Sequence, residues 1–389
     1  MSTNFNVNGT DLDQLYLTNA AAGWQTPSTG FTQVWGNSAG IANGYNFQSG
    51  LTVPMSFYPA NTWKSIVCGS YNYNTAYAIK MDGTLWVCGQ NNFGMLGTGD
   101  IVNRGFFTKI GAFTDYVQVS SMNDFALLLR SNGTLWGMGV NTNGQLGDGT
   151  SIPKSSPVQV GSGSTWTSVS AGMRASYAIK ADGTLWSWGS NQVGGALGDG
   201  NSTSAFNRSS PGQIGSLNTW RTVSAGADGA LATKTDGTLW VWGTNGNGTI
   251  GDGTLVSKST PVQVGSLTNW QQVIYANNCV TAIKTDGTLW TWGYAGYGQL
   301  GNNLLTPDRL SPAQVGALTD WLALHTQGGV SNNIMATKTD GTLWVWGNMP
   351  YGNLTATPRS SPVQVGSLNT WAPPIASGRG VAYATYKKS

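Results

Sequence analysis

The sequence contains no glutamate, and all 16 of its acidic residues are aspartate. Glutamate favours helix and aspartate favours turns, so the bias points to strands and turns. Histidine occurs once, at position 325, which excludes a metal site of the His-x-x-x-His type and leaves a Ser-His-Asp triad without obvious partners. Three cysteines, Cys68, Cys88 and Cys279, are too few for a disulfide framework. A Cys68–Cys88 bridge is conceivable, but Cys88 reads better as a small buried apolar residue. Charged residues make up only 9% of the chain, and the net charge of +3 is spread without a basic cluster beyond Lys387-Lys388. That pattern argues against a nucleic-acid footprint. No apolar run of about 18 residues is present, so membrane insertion is not expected. The opening MSTNFNVNGTDLDQLY lacks the basic and apolar regions of a signal peptide, and no secretory signal is expected.

What the chain has in abundance is glycine (55) and tryptophan (18) over 389 residues. They fall in register. Asp-Gly-Thr-Leu-Trp occurs at Asp82–Trp86, Asp182–Trp186, Asp236–Trp240, Asp286–Trp290 and Asp340–Trp344, and Asn132–Trp136 differs only at its first residue. The recurring tryptophans are thus Trp86, Trp136, Trp186, Trp240, Trp290 and Trp344. Each is followed three residues later by glycine. An aromatic residue opens each unit upstream, at Trp63, Tyr116, Trp166, Trp220, Trp270, Trp321 and Trp371. Downstream come a Gly-Asp-Gly-type loop and a Ser-Pro-Val-Gln-Val-type segment. A period of about 50 residues marks a repeat architecture.

One unit, residues 166–215, reads as four short strands: Trp166–Ala171, Ser176–Lys180, Thr184–Gly189 and a short outer strand at Gln213-Ile214. Ala181-Asp182-Gly183 is a tight turn, read here as a two-residue Asp-Gly hairpin connection. In the third strand, period two places Trp186 and Trp188 on one face and Leu185, Ser187 and Gly189 on the other. Stacked units would interlock large residues against small ones. The expectation is an all-β, seven-bladed β-propeller of four-stranded blades. Residues 31–389 form it, residues 1–30 are an arm outside the repeat, and the ring closes by pairing half-repeats at about 31–60 and 371–389.

The motifs at Asn132–Thr150 (NGTLWGMGVNTNGQLGDGT), with their copies, resemble the regulator of chromosome condensation repeat family, in its bacterial and phage form. The resemblance spans nearly everything from residue 31 onward. It implies a propeller and a binding or regulatory role, since relatives include an exchange factor for a small GTPase, ubiquitin-ligase modules and a β-lactamase inhibitor. The exchange activity does not transfer, because no residues match one by one. A second resemblance, at Asn4–Tyr16, is to the N-terminal openings of structural proteins in marine tailed phages.

Several groups have the residue types of a site. His325 reads as an ordinary strand or rim residue. Asp100, Asp148, Asp199 and Asp252 sit one per Gly-rich loop, whereas Ca²⁺ wants six to eight oxygens, so they read as turn formers. Lys80, Arg130, Lys180, Lys234, Lys284 and Lys338 precede the Asp-Gly turns and read as a solvated rim in which each is compensated by its neighbouring Asp. Departures from the repeat say more. Phe106-Phe107 replaces Ser-Pro, Tyr71 and Tyr73 lie in an expanded loop, and Tyr294 and Tyr297 stand where the second full repeat has Val140 and Asn143. The segments Asn37–Thr62, Ser202–Arg208 and Gly328–Asn333 are irregular. Aromatic loops on a rigid scaffold suit binding, so Tyr71, Tyr73, Phe106, Phe107, Tyr294 and Tyr297 form the candidate surface. No catalytic set, metal site or cofactor is read. The expected function is a non-enzymatic binding or structural module of a phage virion (tail, fibre or capsid exterior), meeting other virion proteins or a host-surface protein or glycan. The N-terminal arm would dock on another subunit. The alternatives are a soluble, cytoplasmic protein–protein interaction propeller and, further off, a polysaccharide-active enzyme.

Overall fold

The computed structural model describes residues 63–69, 75–191, 194–276, 278–325, 333–348, 358–367 and 369–378, with further strands at 6–7, 10–11, 31–36, 55–59 and 381–386. Every sheet is antiparallel, and the strands of each blade follow one another in chain order from the axis outward.

The first blade consists of Trp63–Gly69, Thr75–Lys80, Leu85–Gly89 and Arg104–Ile110. The second has Tyr116–Ser121, Phe125–Arg130, Leu135–Gly139 and Lys154–Gln159, and the third Trp166–Ala171, Ala175–Lys180, Leu185–Gly189 and Arg208–Gln213. The fourth has Trp220–Ala225, Gly229–Lys234, Leu239–Gly243 and Lys258–Gln263, and the fifth Trp270–Ala276, Cys279–Lys284, Leu289–Gly293 and Arg309–Gln314. The sixth has Trp321–Leu324, Asn333–Lys338, Leu343–Gly347 and Arg359–Gln364.

The count of seven blades is corrected to six blades built from complete repeats, each one continuous stretch of chain. What stands beside them is a composite sheet of a different make: Trp371–Gly378, Val381–Tyr386, Phe31–Gly36 and Met55–Pro59, in that order. Its middle strands come from opposite ends of the chain, so no Asp-Gly-Thr turn joins them. Its first two strands slip register between Ala372 and Ala376, across Pro373-Pro374. Trp371–Gly378 lies against Trp63–Gly69 on one side and Asn333–Lys338 on the other, which brings the first and sixth blades to either side of the composite sheet. In the N-terminal segment, Asn6–Val7 pairs antiparallel with Thr10–Asp11.

The hairpin between the second and third strands also differs from expectation. Its loop has three residues, not two. Gly183 N–H donates to the Lys180 carbonyl (2.9 Å), Lys180 N–H donates to the Thr184 carbonyl (3.0 Å), and Gly183 has φ +79°. Asp182 explains the choice: its Oδ1 accepts from both the N–H (3.0 Å) and the Oγ1 (2.6 Å) of Thr184. The Thr Oγ1 in turn accepts from Trp186 Nε1 (2.8 Å). The string Asp-Gly-Thr-Leu-Trp is therefore a hydrogen-bonded relay, and Asn132 serves the same purpose in the second blade.

Blades interlock as the third-strand pattern implies. Trp186, Trp188, Trp166 and Val169 of the third blade pack on Leu127, Leu129, Leu135, Leu146 and Val160 of the second. The fully buried Trp188, Trp242, Trp292 and Trp346 each donate Nε1–H to a carbonyl in the preceding blade, at Gln145, Ala196, Thr249 and Gln299 (2.9–3.0 Å). Glycines 147, 198, 251 and 301 clear the space for those rings. Cys88 holds the corresponding position in the first blade and is buried with a free thiol. Cys68 and Cys88 lie on either side of Ala76 in the ladder, so their Cα atoms are about 10 Å apart, two strand spacings, and cannot be bridged.

Candidate functional site

The chain turns alternate loops to opposite faces of the ring. Three-residue Asp-Gly hairpins lie on one face, and the long loops after the third strands lie on the other. Each third strand ends at a glycine with strongly positive φ, such as Gly139 at +101° and Gly243 at +106°. Any side chain there would strike the Asp124 or Asp228 carbonyl of the adjacent hairpin loop. The following loop is held from within by one buried asparagine. Asn141 donates Nδ2–H to Asp148 Oδ1 (3.0 Å), the Thr150 carbonyl (3.1 Å) and the Ile152 carbonyl (3.2 Å), and its Oδ1 accepts from Leu146 N–H (2.9 Å). Asn91 and Asn245 organise their own loops in the same way.

The loop aspartates are thereby committed. Asp148 Oδ1 accepts from Thr150 N–H (3.0 Å), and its Oδ2 pairs with Lys154 Nζ (3.3 Å). Asp100, Asp199 and Asp252 pair with Arg104 (2.6 Å), Arg208 (2.8 Å) and Lys258 (3.1 Å). With polar atoms turned inward, the loop tips project aliphatic side chains. Ile101 and Val102 of the first blade, Ile152 of the second, Leu255 and Val256 of the fourth, and Leu304 and Leu305 of the fifth are all exposed, Ile101 to 64% and Val256 to 62%. Phe206 adds to them from the third blade. Together they form an apolar crown whose charges are compensated beneath it.

On this same face, nearer the axis, the loops before the second strands bring Asp124, Arg174 and Asp228 from three successive blades into sequence around the ring. Burial raises the carboxyls of Asp124 and Asp228 above the usual range, and the Arg174 charge moderates both shifts. No ion pair within 4 Å joins the three among the described residues. The inner strands are tied to each other by side chains. Gln118 Nε2 donates to the Val169 carbonyl (2.8 Å) while its Oε1 accepts from Val169 N–H (3.1 Å), and Gln272 does the same with Leu324. Ser120, Ser170 and Ser224 each accept a backbone N–H of the next blade.

The opposite face carries the basic series, and it is not a solvated rim. Lys234 and Lys284 are buried, with Nζ 3.5 Å from the ring centroids of Trp240 and Trp290. Lys80 and Lys180 stack in the same way at 3.7 Å, and Arg130 lies 3.5 Å over Phe113. Only Arg130 and Lys338 of this series also form ion pairs among the described residues, with Asp115 (2.7 Å) and Asp320 (3.3 Å). The correction has a simple cause. The paired tryptophans, at 6.0–6.4 Å and nearly perpendicular, leave an electron-rich corner that a lysine one strand away fills better than water does.

Of the six sequence-chosen aromatics, the four among the described residues do not converge. Tyr71 and Tyr73 lie outside the described residues, as do most of Asn37–Thr62 and Gly328–Asn333. Tyr294 and Tyr297 form a T-shaped pair (5.7 Å) on the loop face of the fifth blade, with Tyr297 exposed. Phe107 packs tilted on Trp63 (4.9 Å) and is part of the blade's packing, whereas Phe106 is exposed at the perimeter of the first blade. His325 is buried, bonded through Nε2 to Thr337 Oγ1 (2.9 Å), with burial lowering its pKa to about 4. No helix among the described residues is long and apolar enough to cross a membrane.

Residues 132–179, 182–233 and 236–283 match the regulator of chromosome condensation (RCC1) repeat, and 166–194 and 220–249 match a second model of that repeat. Among solved structures, human WBSCR16 superposes with a TM-score of 0.76 at 19% identity, over 92% of this chain and 99% of that one. Prp20p from Saccharomyces cerevisiae, described with its binding to Gsp1p and histones, gives 0.77 at 18% identity, over 93% and 92%. Yeast RCC1 (Prp20) bound to Kap60 gives 0.77 at 16%, over 97% of each chain. At these identities the likeness establishes the propeller fold. No curated protein matches the chain in sequence.

Proposed function

We propose that this chain is a non-catalytic protein-binding propeller whose loop face carries its partner, and that it works as a component of a phage particle. The observation that carries the binding reading is the apolar crown of Ile101, Val102, Ile152, Leu255, Val256, Leu304 and Leu305, set on loops made rigid by buried asparagines. Exposed aliphatics repeated from blade to blade on one face suit a broad, weakly charged protein surface. Its titratable groups support the same view. Loop and turn aspartates are spent on threonine and lysine or arginine partners, and His325 stays neutral above about pH 4. The partners named for the yeast neighbour are themselves proteins. The particle setting rests on the opening Asn4–Tyr16, with residues 1–30 as the arm that docks on another subunit and virion proteins or a host-surface protein or glycan as the partners.

Mass spectrometry of density-purified particles, run beside the soluble lysate, tests the setting. Co-sedimentation at stoichiometric level is expected, and retention in the soluble fraction refutes it. Val256→Asp combined with Leu305→Asp tests the face. Association with the particle should fall at least tenfold while the melting temperature stays within about 2 °C, because both side chains already face water. Unchanged association would move the partner off this face.

A further inference from the structure

In each of the six repeat-built blades the outer strand opens on a lysine or arginine. In four of them the loop before the strand supplies that cation with an acid. Arg104 pairs with Asp100 (2.6 Å), Lys154 with Asp148 (3.3 Å), Arg208 with Asp199 (2.8 Å) and Lys258 with Asp252 (3.1 Å). The fifth blade keeps the cation and lacks the acid. Arg309 stands opposite Gly293 as Lys258 stands opposite Gly243. The loop before it reads Leu300-Gly301-Asn302-Asn303, where the second and third blades have Leu-Gly-Asp-Gly. The turn survives the change. Asn302 Oδ1 accepts from Leu304 N–H (3.2 Å), as Asp148 Oδ1 does from Thr150 N–H, and Asn303 takes the glycine's place at φ +66°. The negative charge is gone.

Arg309 is thereby left without a counter-ion. It is half-buried, and its guanidinium forms no hydrogen bond or ion pair among the described residues. Arg208 shares a buried, unbonded Nη1 with Arg309, but its Nη2 meets Asp199 Oδ2; Arg309 has no such acceptor. The neighbouring acids are committed elsewhere. Asp308 Oδ1 accepts from Ala295 N–H and its Oδ2 from Asn247 Nδ2, both at 2.9 Å. Asp252 lies on the adjoining loop of the fourth blade, whose Gly253 N–H donates to the Leu310 carbonyl (2.8 Å), and its Oδ2 is taken by Lys258. A half-buried guanidinium with no acceptor favours an anion brought from outside. The same loop exposes Leu304 to 52% and Leu305 to 46%.

We propose that Arg309 is a specificity-determining cation of the loop face: it takes one carboxylate, an aspartate or glutamate side chain of the partner protein, while Leu304 and Leu305 meet the apolar residues beside it. The incoming carboxylate occupies the place that Asp148, Asp199 and Asp252 fill in their own blades. Arg309 thus adds a charged anchor to the loop-face binding proposed above, on which it rests.

The test uses the full chain with nitrogen-15-labelled arginine and follows the Arg309 Nε–H signal, identified by its loss in Arg309→Lys. Acetyl-Leu-Asp-Leu-amide is the probe, with acetyl-Leu-Asn-Leu-amide and inorganic phosphate as comparisons. The aspartate peptide should shift the signal saturably, and the other two should bind about fivefold more weakly or worse. Asn302→Asp restores the repeat's own acid and leaves both leucines in place. It should satisfy Arg309 from within, hold the melting temperature at or above the parent's, and weaken the aspartate peptide about fivefold or more. Equal binding of the asparagine peptide or of phosphate, no binding of the aspartate peptide, or full binding to the Asn302→Asp chain would each overturn the proposal. Particle association distinguishes the anchor from the face that carries it. Loss in Val256→Asp with Leu305→Asp but full association in Asn302→Asp removes the anchor and leaves the loop-face partner standing. If no chain associates with particles, that setting falls, and the peptide titration decides the anchor by itself.

Discussion

Gly198 and Trp242 offer a test of blade interlocking that no single substitution can supply. Trp242 is fully buried and donates Nε1–H to the Ala196 carbonyl at 2.9 Å. Trp242→Ala removes that bond and leaves a cavity between the third and fourth blades, which should cost about 3–5 kcal/mol. Gly198 has φ +70°, and a Cβ on it would lie 2.8 Å from Trp242 Nε1 and 2.9 Å from Cδ1. Gly198→Ala therefore carries two penalties: about 1–2 kcal/mol for a left-handed alanine and about 1–3 kcal/mol for overpacking the indole. In the Trp242→Ala background the overpacking penalty disappears and the backbone penalty remains. The double variant should thus be more stable than the sum of the singles by about 1–3 kcal/mol. Urea unfolding followed by intrinsic fluorescence and circular dichroism, on all four proteins, measures this coupling. Additivity within about 0.5 kcal/mol would refute the direct-contact account.

Three further outcomes are expected. His325 has its folded pKa lowered from 6.5 to about 4, so the unfolded chain binds the extra proton. Its contribution is complete above about pH 6.5 and is lost as pH falls toward 4, and His325→Gln should flatten the stability profile in that window. Asp82, Asp182, Asp236, Asp286 and Asp340 are all held below the ordinary 3.8 by threonine hydrogen bonds, so their stabilisation is present above that pH and fades as acid drives them through their lowered values. A chain with all five changed to Asn, the residue already present at 132, should unfold less readily in acid, as an acid titration by circular dichroism would show. Lys234→Met keeps the aliphatic stem over Trp240 and removes the ammonium; a loss of about 1 kcal/mol in urea unfolding is expected, and no loss would mean the cation contributes nothing there.

The repeat itself was legible because each Asp-Gly-Thr-Leu-Trp string performs the same local task, and its relay of hydrogen bonds lies within five residues of sequence. The interlocking of Trp188 with the preceding blade was legible too, from the alternation of bulky and small residues in one strand. Less accessible was anything decided between strands. Lys234 looks like a surface cation until the second-strand end and the two tryptophans are placed together. Asp124, Arg174 and Asp228 are about 50 residues apart in sequence and come near one another only because they precede the second strands of successive blades; their shared position in the repeat was the available signal. Phe107 stood out as an aromatic departure from the repeat, but its packing on the Trp63 ring is a contact between strands that the sequence does not display.

The pairing of Phe31–Gly36 with Val381–Tyr386 has a mechanical consequence. Thr32 stands opposite Thr385 and Gly36 opposite Val381, so the chain entering one strand and the chain leaving the other emerge at the same end of the ladder. Tension applied through those two emerging segments acts on one rung at a time, from the Thr32–Thr385 end inward, in an unzipping geometry. Shear, which would load all the rungs together, does not arise from that direction of pull. The composite sheet is thus a seam that unzips under traction on the two segments it joins, while force applied at the loop tips of any one blade bears on rungs joined by short covalent turns.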